Sequence, residues 1–168
     1  MNIEICPVAI EDKSVLRNLM ELYAYDFSEF DEADVDGHGL YGYSYLDHYW
    51  TEEGRHAFFF KVDGRLAGFA MVRQCQIDGA LTWTMAEFFV MRKYRKHGLG
   101  RDAAFRIFDQ FPGRWNVAEL TENKPAQVFW RRIINQYTGG SFTEIWQNDE
   151  HWQGPVQVFV SQQANHPA

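Results

Sequence analysis

Arg95-Lys96-His97-Gly98-Leu99-Gly100-Arg101 is the stretch that decides the fold of this chain. An apolar run, Phe88-Phe89-Val90-Met91, precedes it, and residues 102–111 follow with apolar side chains at helical spacing. The pattern predicts a strand, a basic glycine loop and a helix N-terminus. Glycines let the backbone approach a ligand closely, and the amides and dipole of a helix N-terminus attract anions. The alternative is a solvated basic turn, since glycine motifs also occur without a ligand.

Charge and composition favour a phosphate-rich ligand for this loop. Residues 92–101 hold five Lys or Arg and no acid, in a chain whose net charge is −7. That acidic balance argues against nucleic acid as a partner. The 168 residues, 46% of them hydrophobic, predict one domain spanning 1–168, with no signal peptide and no membrane span. Two cysteines without metal-type spacing fit a cytoplasmic protein, and no metal site is expected.

The segments before the loop predict antiparallel strands. Residues 3–6 alternate as a strand does, and the turn pair Asp63-Gly64 separates apolar runs at 57–62 and 66–72. A second turn signal, Asp78-Gly79, precedes a strand over 82–91. Gly68, inside one of these strands, indicates a bulge or a close backbone contact.

The segments after the loop predict a crossover. A helix over 102–111 is followed by a strand over 115–120, which should lie parallel to the strand over 82–91. Pro125 suits the first turn of a second helix, which Gly139-Gly140 ends. Strands are expected over 141–146 and 156–160, with a frayed tail from Ser161.

An acidic stretch and an aromatic cluster lie in the first third of the chain. Ser14 is the expected N-cap of a helix, after which residues 26–36 hold six acids and no base. These acids read as a solvated loop, or alternatively as a wall that attracts a cationic substrate. Five Tyr and Trp residues between 41 and 50 suggest a short helix over 44–53 that is mostly core, with one or two hydroxyls lining a cleft.

The order of elements carries a resemblance to a known family. Arg95-x-x-Gly98-x-Gly100 follows an apolar strand and opens a helix, and Asn123-Lys124-Pro125-Ala126 precedes the aromatic pair Phe129-Trp130. In these two motifs and their order, the chain resembles the GNAT superfamily of acyl-CoA-dependent N-acyltransferases, over about residues 61–142. The resemblance implies a mixed α+β fold. Its central sheet has antiparallel N-terminal strands, a parallel, splayed pair at the cofactor site, and helices on both faces.

The resemblance also implies a site for acetyl-CoA. The backbone of Phe88, Phe89 and Val90 would pair with the pantetheine arm. The pyrophosphate would bind Arg95 and the backbone amides that follow it. The motif that begins at Asn123 would also contact the cofactor. These residues are Arg95, Lys96, His97, Gly98, Leu99, Gly100, Arg101, Asn123, Phe129 and Trp130. One departure is Trp130, which stands where many members have a Tyr that protonates the departing thiolate.

The chemistry requires a base, because an ammonium ion has no lone pair with which to attack a thioester. Glu87, on the strand before the loop, is the preferred candidate, and Glu119, on the neighbouring strand, is the second. A strand N–H near Val90 would polarise the thioester carbonyl. For the amine, the acidic and Tyr-rich region suggests Asp26, Glu29, Tyr41 and Tyr45 as wall residues.

The expected activity is therefore N-acetyl transfer from acetyl-CoA to a primary amine, either a small molecule or a peptide end, in a protein compatible with a homodimer. A non-catalytic acyl-CoA-binding module is the alternative that Trp130 keeps open. A dinucleotide-binding protein is the weaker alternative. Gly98-Leu99-Gly100 lies eight positions after Val90, and hairpins before the motif contradict a doubly wound parallel sheet.

Overall fold

The computed structural model describes residues 1–162, which form a mixed sheet with four helices. The strands are β1 (Ile3–Pro7), β2 (Arg55–Val62), β3 (Arg65–Ile77), β4 (Ala80–Val90), β5 (Gly113–Ala118), β6 (Thr143–Asn148) and β7 (Gln153–Ser161). The helices are α1 (Lys13–Asp31), α2 (His48–Thr51), α3 (Leu99–Gln110) and α4 (Lys124–Thr138). The strand order is β1-β2-β3-β4-β5-β7-β6. The predicted mixed α+β class is confirmed, and a doubly wound parallel sheet is excluded.

The chain divides into two compact units. One comprises residues 1–73 and 86–97, and the other comprises 74–85 and the chain from 98 onward. In the first unit, β1 pairs antiparallel with β2, and β2 with β3. In the second, β4 pairs parallel with β5 over residues 82–84, as the crossover predicts. There β7 lies antiparallel between β5 and β6.

The core of the first unit joins α1 to its strands. Leu16 and Met20 on α1 pack in one buried cluster with Phe59, Phe69 and Phe89. Burying each such side chain contributes about 1.5–3 kcal/mol to stability.

The turn signal Asp63-Gly64 correctly predicted the hairpin of β2 and β3. Asp63 and Gly64 take φ values of 49° and 76°, as a tight hairpin turn requires.

Trp115 organises the second unit. It is fully buried on β5, with its ring against Phe108 of α3 and Phe159 of β7. Its indole Nε1 donates to the carbonyl of Phe111 at 2.8 Å. Ser161, the last residue of β7, is buried and donates to that same carbonyl at 3.0 Å. The prediction of a frayed tail is therefore wrong at Ser161, and residues 163–168, the rest of that predicted tail, lie outside the described residues.

The prediction that residues 26–36 form a loop is wrong for its first half. Tyr23, Phe27 and Phe30 continue the apolar stripe of α1 at helical spacing, with neighbouring ring centroids 5.6 and 6.2 Å apart. The helix therefore runs to Asp31 and ends at Glu32, whose φ of 57° is left-handed. Ser14 was also wrong as N-cap, because α1 already begins at Lys13.

Two other helix boundaries differ from the predictions. The short helix expected over 44–53 is confined to His48–Thr51, and turns occupy residues 44–47. Helix α3 begins at Leu99 instead of residue 102, because Gly98 turns the chain with a φ of 85° and Leu99 is buried. The last residues of the glycine loop are therefore the first turn of α3.

Gly68 is the close contact that the sequence indicated. A Cβ at this position would lie 2.0 Å from the carbonyl oxygen of Phe89, and the β2–β3 register shifts opposite it, between Phe60 and Lys61. Real Cβ atoms do not approach backbone oxygens so closely. The segment of β4 that carries Phe89 therefore depends on a residue without a side chain on β3.

We expect Gly68→Ala to lower the free energy of unfolding by about 1–3 kcal/mol, because the methyl group forces β3 and β4 apart. Gly37→Ala is the matched control, since a Cβ there meets nothing within 4 Å. Urea unfolding of both variants measures the difference. Equal stability of Gly68→Ala and the wild type would contradict the predicted clash.

Candidate active site

The glycine loop has the backbone shape of an anion site. After a 3₁₀ turn over Arg92–Tyr94, Lys96 and Gly98 both take positive φ values, 67° and 85°. Gly98 is the N-cap of α3 and supplies no side-chain cap, so the first amides of the helix lack the usual internal acceptor. Lys96, His97 and Gly98 are exposed. A helix N-terminus with basic side chains beside it attracts anions.

Asp26 is bound to two arginines of the segment that leads into the loop. Its Oδ1 accepts from Arg92 Nη2 at 2.6 Å, and its Oδ2 accepts from Arg95 Nη2 at 2.5 Å. Partial burial opposes ionisation, but these hydrogen bonds hold the pKa of the Asp26 carboxyl below its ordinary value. This charge is compensated, so it is not a free acid for attracting an amine. Glu29, the other predicted acid, is exposed.

Arg95 also fixes the end of β4. Its Nε donates to the carbonyl of Val90 at 2.7 Å, and its guanidinium lies 5.8 Å from the ring centroid of Phe89. The Val90 carbonyl, one of the backbone groups predicted to pair with pantetheine, therefore already accepts a hydrogen bond. Farther along, Arg101 pairs with the adjacent Asp102, its Nη2 lying 2.9 Å from Oδ1.

Glu87 lies on β4 in a cluster of tyrosines. The phenols of Tyr23, on α1, and Tyr43, on the segment before α2, face its carboxylate and act to lower its pKa. Burial raises the pKa of Glu87 to about 7, although these phenols and Arg73 oppose the shift. Burial likewise raises the pKa of both tyrosines, so they stay protonated and remain donors. A carboxyl with a pKa near 7 can take up or release a proton at neutral pH.

Sequence reasoning missed Tyr23 and Glu21. Glu21 accepts hydrogen bonds from the backbone amides of Tyr41 and Gly42, at 2.8 and 2.9 Å. Tyr41 thus meets α1 through its amide, and Tyr45 is 56% exposed with its ring edge-on to that of Tyr43 at 6.0 Å. The Tyr-rich stretch predicted that one or two hydroxyls line a cleft. No local feature of the sequence indicated that Tyr23 and Tyr43 are the tyrosines that face Glu87.

Glu119 is the most deeply buried acid of the second unit. It is 3% exposed, and within the described part of the chain neither of its carboxyl oxygens has a well-aligned hydrogen-bond partner. Burial raises its pKa to about 8, against the opposing effect of the nearby Gln157 amide. That amide donates to Glu144 at 2.9 Å, and Glu144 is paired with Arg131 at 2.8 Å.

The second motif forms the start of α4. Asn123 caps the helix, its Oδ1 accepting from the Ala126 amide at 3.1 Å. This side-chain oxygen is therefore committed to the helix. Trp130 is buried, with its ring 6.3 Å from that of Phe108 and 4.9 Å from that of Phe129. An indole N–H in this position is too weak an acid to protonate a thiolate at neutral pH.

Two other kinds of feature are absent from residues 1–162. They contain no helix long and apolar enough to cross a membrane. They also contain no group of three or more His, Cys, Asp or Glu arranged to hold a metal ion.

The buried Glu119 should make stability depend on pH. Its pKa is higher in the folded state than the ordinary 4.5, so folding takes up a proton between about pH 5 and 8. The free energy of unfolding should therefore fall as pH rises through this window, by up to about 1.4 kcal/mol per pH unit from this group. Glu119→Gln, measured by urea unfolding at pH 5, 6, 7 and 8, should flatten the decline.

Glu122→Gln is the control for this experiment, because Glu122 is exposed and a neighbour in the chain. It should keep the slope of the wild type. A Glu119→Gln protein that loses stability with pH as steeply as the wild type would contradict the raised pKa.

Comparisons with known proteins agree with this geometry. The sequence model of the acetyltransferase (GNAT) family matches residues 17–134. No curated protein matches the sequence. Among solved structures, an acetyltransferase from Thermus thermophilus has a TM-score of 0.70 and 14% identity, over 95% of this chain and 97% of that one.

Two further structures share the fold. The ribosomal-protein-S18-alanine N-acetyltransferase from Escherichia coli has a TM-score of 0.64 and 14% identity, over 99% of both chains. PaiA N-acetyltransferase from Thermoplasma acidophilum, solved with coenzyme A, has a TM-score of 0.63 and 11% identity, over 94% of this chain and 98% of that one. Identities this low show the fold alone. The family model matches residues 17–134, which contain the glycine loop and the Asn123 motif. This match shows that the protein belongs to the acetyltransferase (GNAT) family.

Proposed function

We propose that this protein transfers an acetyl group from acetyl-CoA to a primary amine, with Glu87 as the base. The observation that carries the proposal is a partly buried carboxyl on β4, faced by the phenols of Tyr23 and Tyr43, whose pKa burial raises to about 7. Such a group is poised to take a proton from an ammonium ion near neutral pH. The whole chain, residues 1–168, is proposed to act as one catalytic domain.

The glycine loop and the end of β4 are proposed to hold the donor. When bound, acetyl-CoA supplies the activated acetyl thioester. The amides from Lys96 to Arg101 would bind its pyrophosphate, and the basic side chains around them would offset its charge. The backbone of Phe88 and Phe89 would align the pantetheine arm as an added strand does. Asn123 would contribute by fixing the start of α4.

Glu87, rather than Glu119, would deprotonate the amine. At neutral pH a carboxyl of pKa about 8 is mostly protonated, so Glu119 makes a poorer base than Glu87. A pH profile set by the ionisation of Glu87 would rise through about pH 7.

Replacing Glu87 by Gln should remove the base without changing the shape of the side chain. We expect kcat/KM for the best amine to fall by roughly 10²–10⁴-fold and the rising limb of the pH profile to disappear. Release of CoA, detected with a thiol reagent over a panel of small amines and peptides with free N-termini, measures this. Glu122→Gln serves as the matched control and should keep the wild-type profile.

Calorimetric binding of acetyl-CoA separates the catalytic proposal from its alternative. Glu87→Gln should bind acetyl-CoA as the wild type does, because the carboxyl acts on the amine. A Glu87→Gln protein with wild-type kcat/KM would eliminate Glu87 as the base. A wild-type protein that binds acetyl-CoA and releases no CoA with any amine would instead favour a non-catalytic acyl-CoA-binding module.

The acceptor is proposed to be cationic, either a small-molecule amine or a peptide end. Glu29 is exposed on the last turn of α1, in a chain of net charge −7, and is not paired with Arg92 and Arg95 as Asp26 is. Tyr41 and Tyr45, on the segment that follows α1, would complete the wall. Long-range attraction between such charges assists binding and is screened by salt.

Neutralising Glu29 should therefore weaken capture of the amine. We expect Glu29→Gln to raise KM for a cationic amine roughly 2–5-fold at low ionic strength, with kcat unchanged, because exposed charges interact weakly. The difference should shrink in about 0.5 M salt, where charges are strongly screened. An unchanged KM at low salt would contradict a role for Glu29 in binding the acceptor.

A further inference from the structure

Strand β6 (Thr143–Asn148) is the last strand in the order of the sheet, so its outer side is an edge. Five of its six residues are exposed, and two of these are large and apolar, Ile145 at 52% and Trp146 at 58%. Successive side chains of a strand point to opposite faces, so each face of this edge carries one of them. An edge strand also presents unpaired N–H and C=O groups to which another strand can bind.

Pro155, on the neighbouring strand β7, indicates which backbone groups of β6 face outward. Its carbonyl accepts from the Glu119 amide at 3.1 Å, so its backbone is directed toward the β5 side. Because the backbone groups of successive residues alternate in direction, the next residue, Val156, is directed toward β6, where it pairs with Ile145. The backbone of Ile145 therefore faces β7, and that of every second residue from its neighbours onward faces away from β7. These outward-facing residues are Glu144, Trp146 and Asn148.

The usual devices that block an exposed edge are absent from β6. Edge strands are protected by Lys or Pro residues or by bulges, whereas residues 143–148 contain neither residue type and pair with β7 without a register shift. The one charged residue among them is Glu144. Its carboxylate is already compensated by Arg131, through two hydrogen bonds of 2.8 Å. Within residues 1–162, no strand pairs with this outer side.

The outer side of β6 is complementary to itself in one antiparallel register. With a two-fold axis at Trp146, the two Trp146 residues pair with each other, and each Glu144 lies opposite an Asn148. All the outward-facing residues of both copies are then paired through the backbone, and the two Glu144 charges stay apart. Moving the axis to Ile145 or Gln147 leaves an outward-facing residue unpaired, and moving it to Glu144 places two carboxylates opposite each other.

We propose that β6 is a dimerisation edge, at which a second copy of this chain pairs antiparallel through the same strand, across a two-fold axis at Trp146. A second copy is the occupant that this register favours, because the edge supplies its own partner for every outward-facing residue. The two exposed indole rings then pack together at the axis, as aromatic side chains commonly do in such interfaces. The contact involves neither Glu87 nor the glycine loop.

The dissociation constant of the dimer tests this pairing, measured by analytical ultracentrifugation across a roughly 100-fold range of protein concentration. The dimer fraction of the wild type should rise with concentration. Trp146→Lys should weaken the dimer at least roughly tenfold, because it removes both rings from the axis and places two like charges there. Leu81→Lys is the matched control, since Leu81 is an apolar residue of the second unit that is 55% exposed on β4. It should keep the dissociation constant of the wild type.

Trp146→Pro is a second variant, which acts on the backbone. It removes the outward-facing N–H at the axis and leaves the hydrogen bonds to β7 in place. Edge strands tolerate proline where the lost N–H faces away from the sheet. The variant should therefore fold and sediment as a monomer at concentrations at which the wild type is a dimer.

Amide hydrogen exchange followed by NMR tests the register directly. The amides of Glu144, Trp146 and Asn148 should exchange quickly in dilute wild-type protein and more slowly as the dimer forms. The amide of Ile145, which faces β7, should be protected at every concentration.

Three results would overturn the inference. One is a wild type that stays monomeric at every concentration. Another is a dimer that persists unchanged in both Trp146 variants, which would place the contact elsewhere on the protein. The third is protection of the outward-facing amides that does not change with concentration, which would mean that a part of the same chain covers the edge.

Discussion

The chemistry proposed for the first unit depends on how the Glu87 carboxylate on β4 is compensated when it is withdrawn from water. Burial makes its ionised form costly, and the phenols of Tyr23 and Tyr43, together with Arg73, offset part of that cost. The two phenols come from different parts of the chain, Tyr23 from α1 and Tyr43 from the segment before α2. The balance of these opposing effects places its pKa at about 7.

Turns and helix starts were predictable because their causes are local. The pairs Asp63-Gly64 and Asp78-Gly79 take the positive φ values of tight turns, and Pro125 lies in the first turn of α4. The backbone shape of the glycine loop likewise depends on a local feature, the positive φ of Gly98. The family resemblance depended on the same local features in the right order, and the match over residues 17–134 confirms it.

Long-range polar pairs could not be predicted from the sequence. Asp26 is one of six acids in a run without a base, and its partners Arg92 and Arg95 lie more than sixty residues away. Tyr23 looks like one more apolar position of α1, yet its phenol faces Glu87 and acts to lower the pKa of that carboxyl. Which side chains meet is decided by tertiary packing. The sequence therefore pointed to the acids and tyrosines of the site without assigning their partners.

The bridge from Asp26 to Arg92 and Arg95 affects the conformational entropy of the approach to the glycine loop. A basic segment without such a bridge would sample many backbone and side-chain conformations, and a ligand would have to select one of them. Because Asp26 holds both guanidinium groups and Arg95 holds the Val90 carbonyl, much of this ordering takes place when the protein folds. A polyanionic ligand then binds a segment that is already ordered, so fewer torsion angles become restricted on binding.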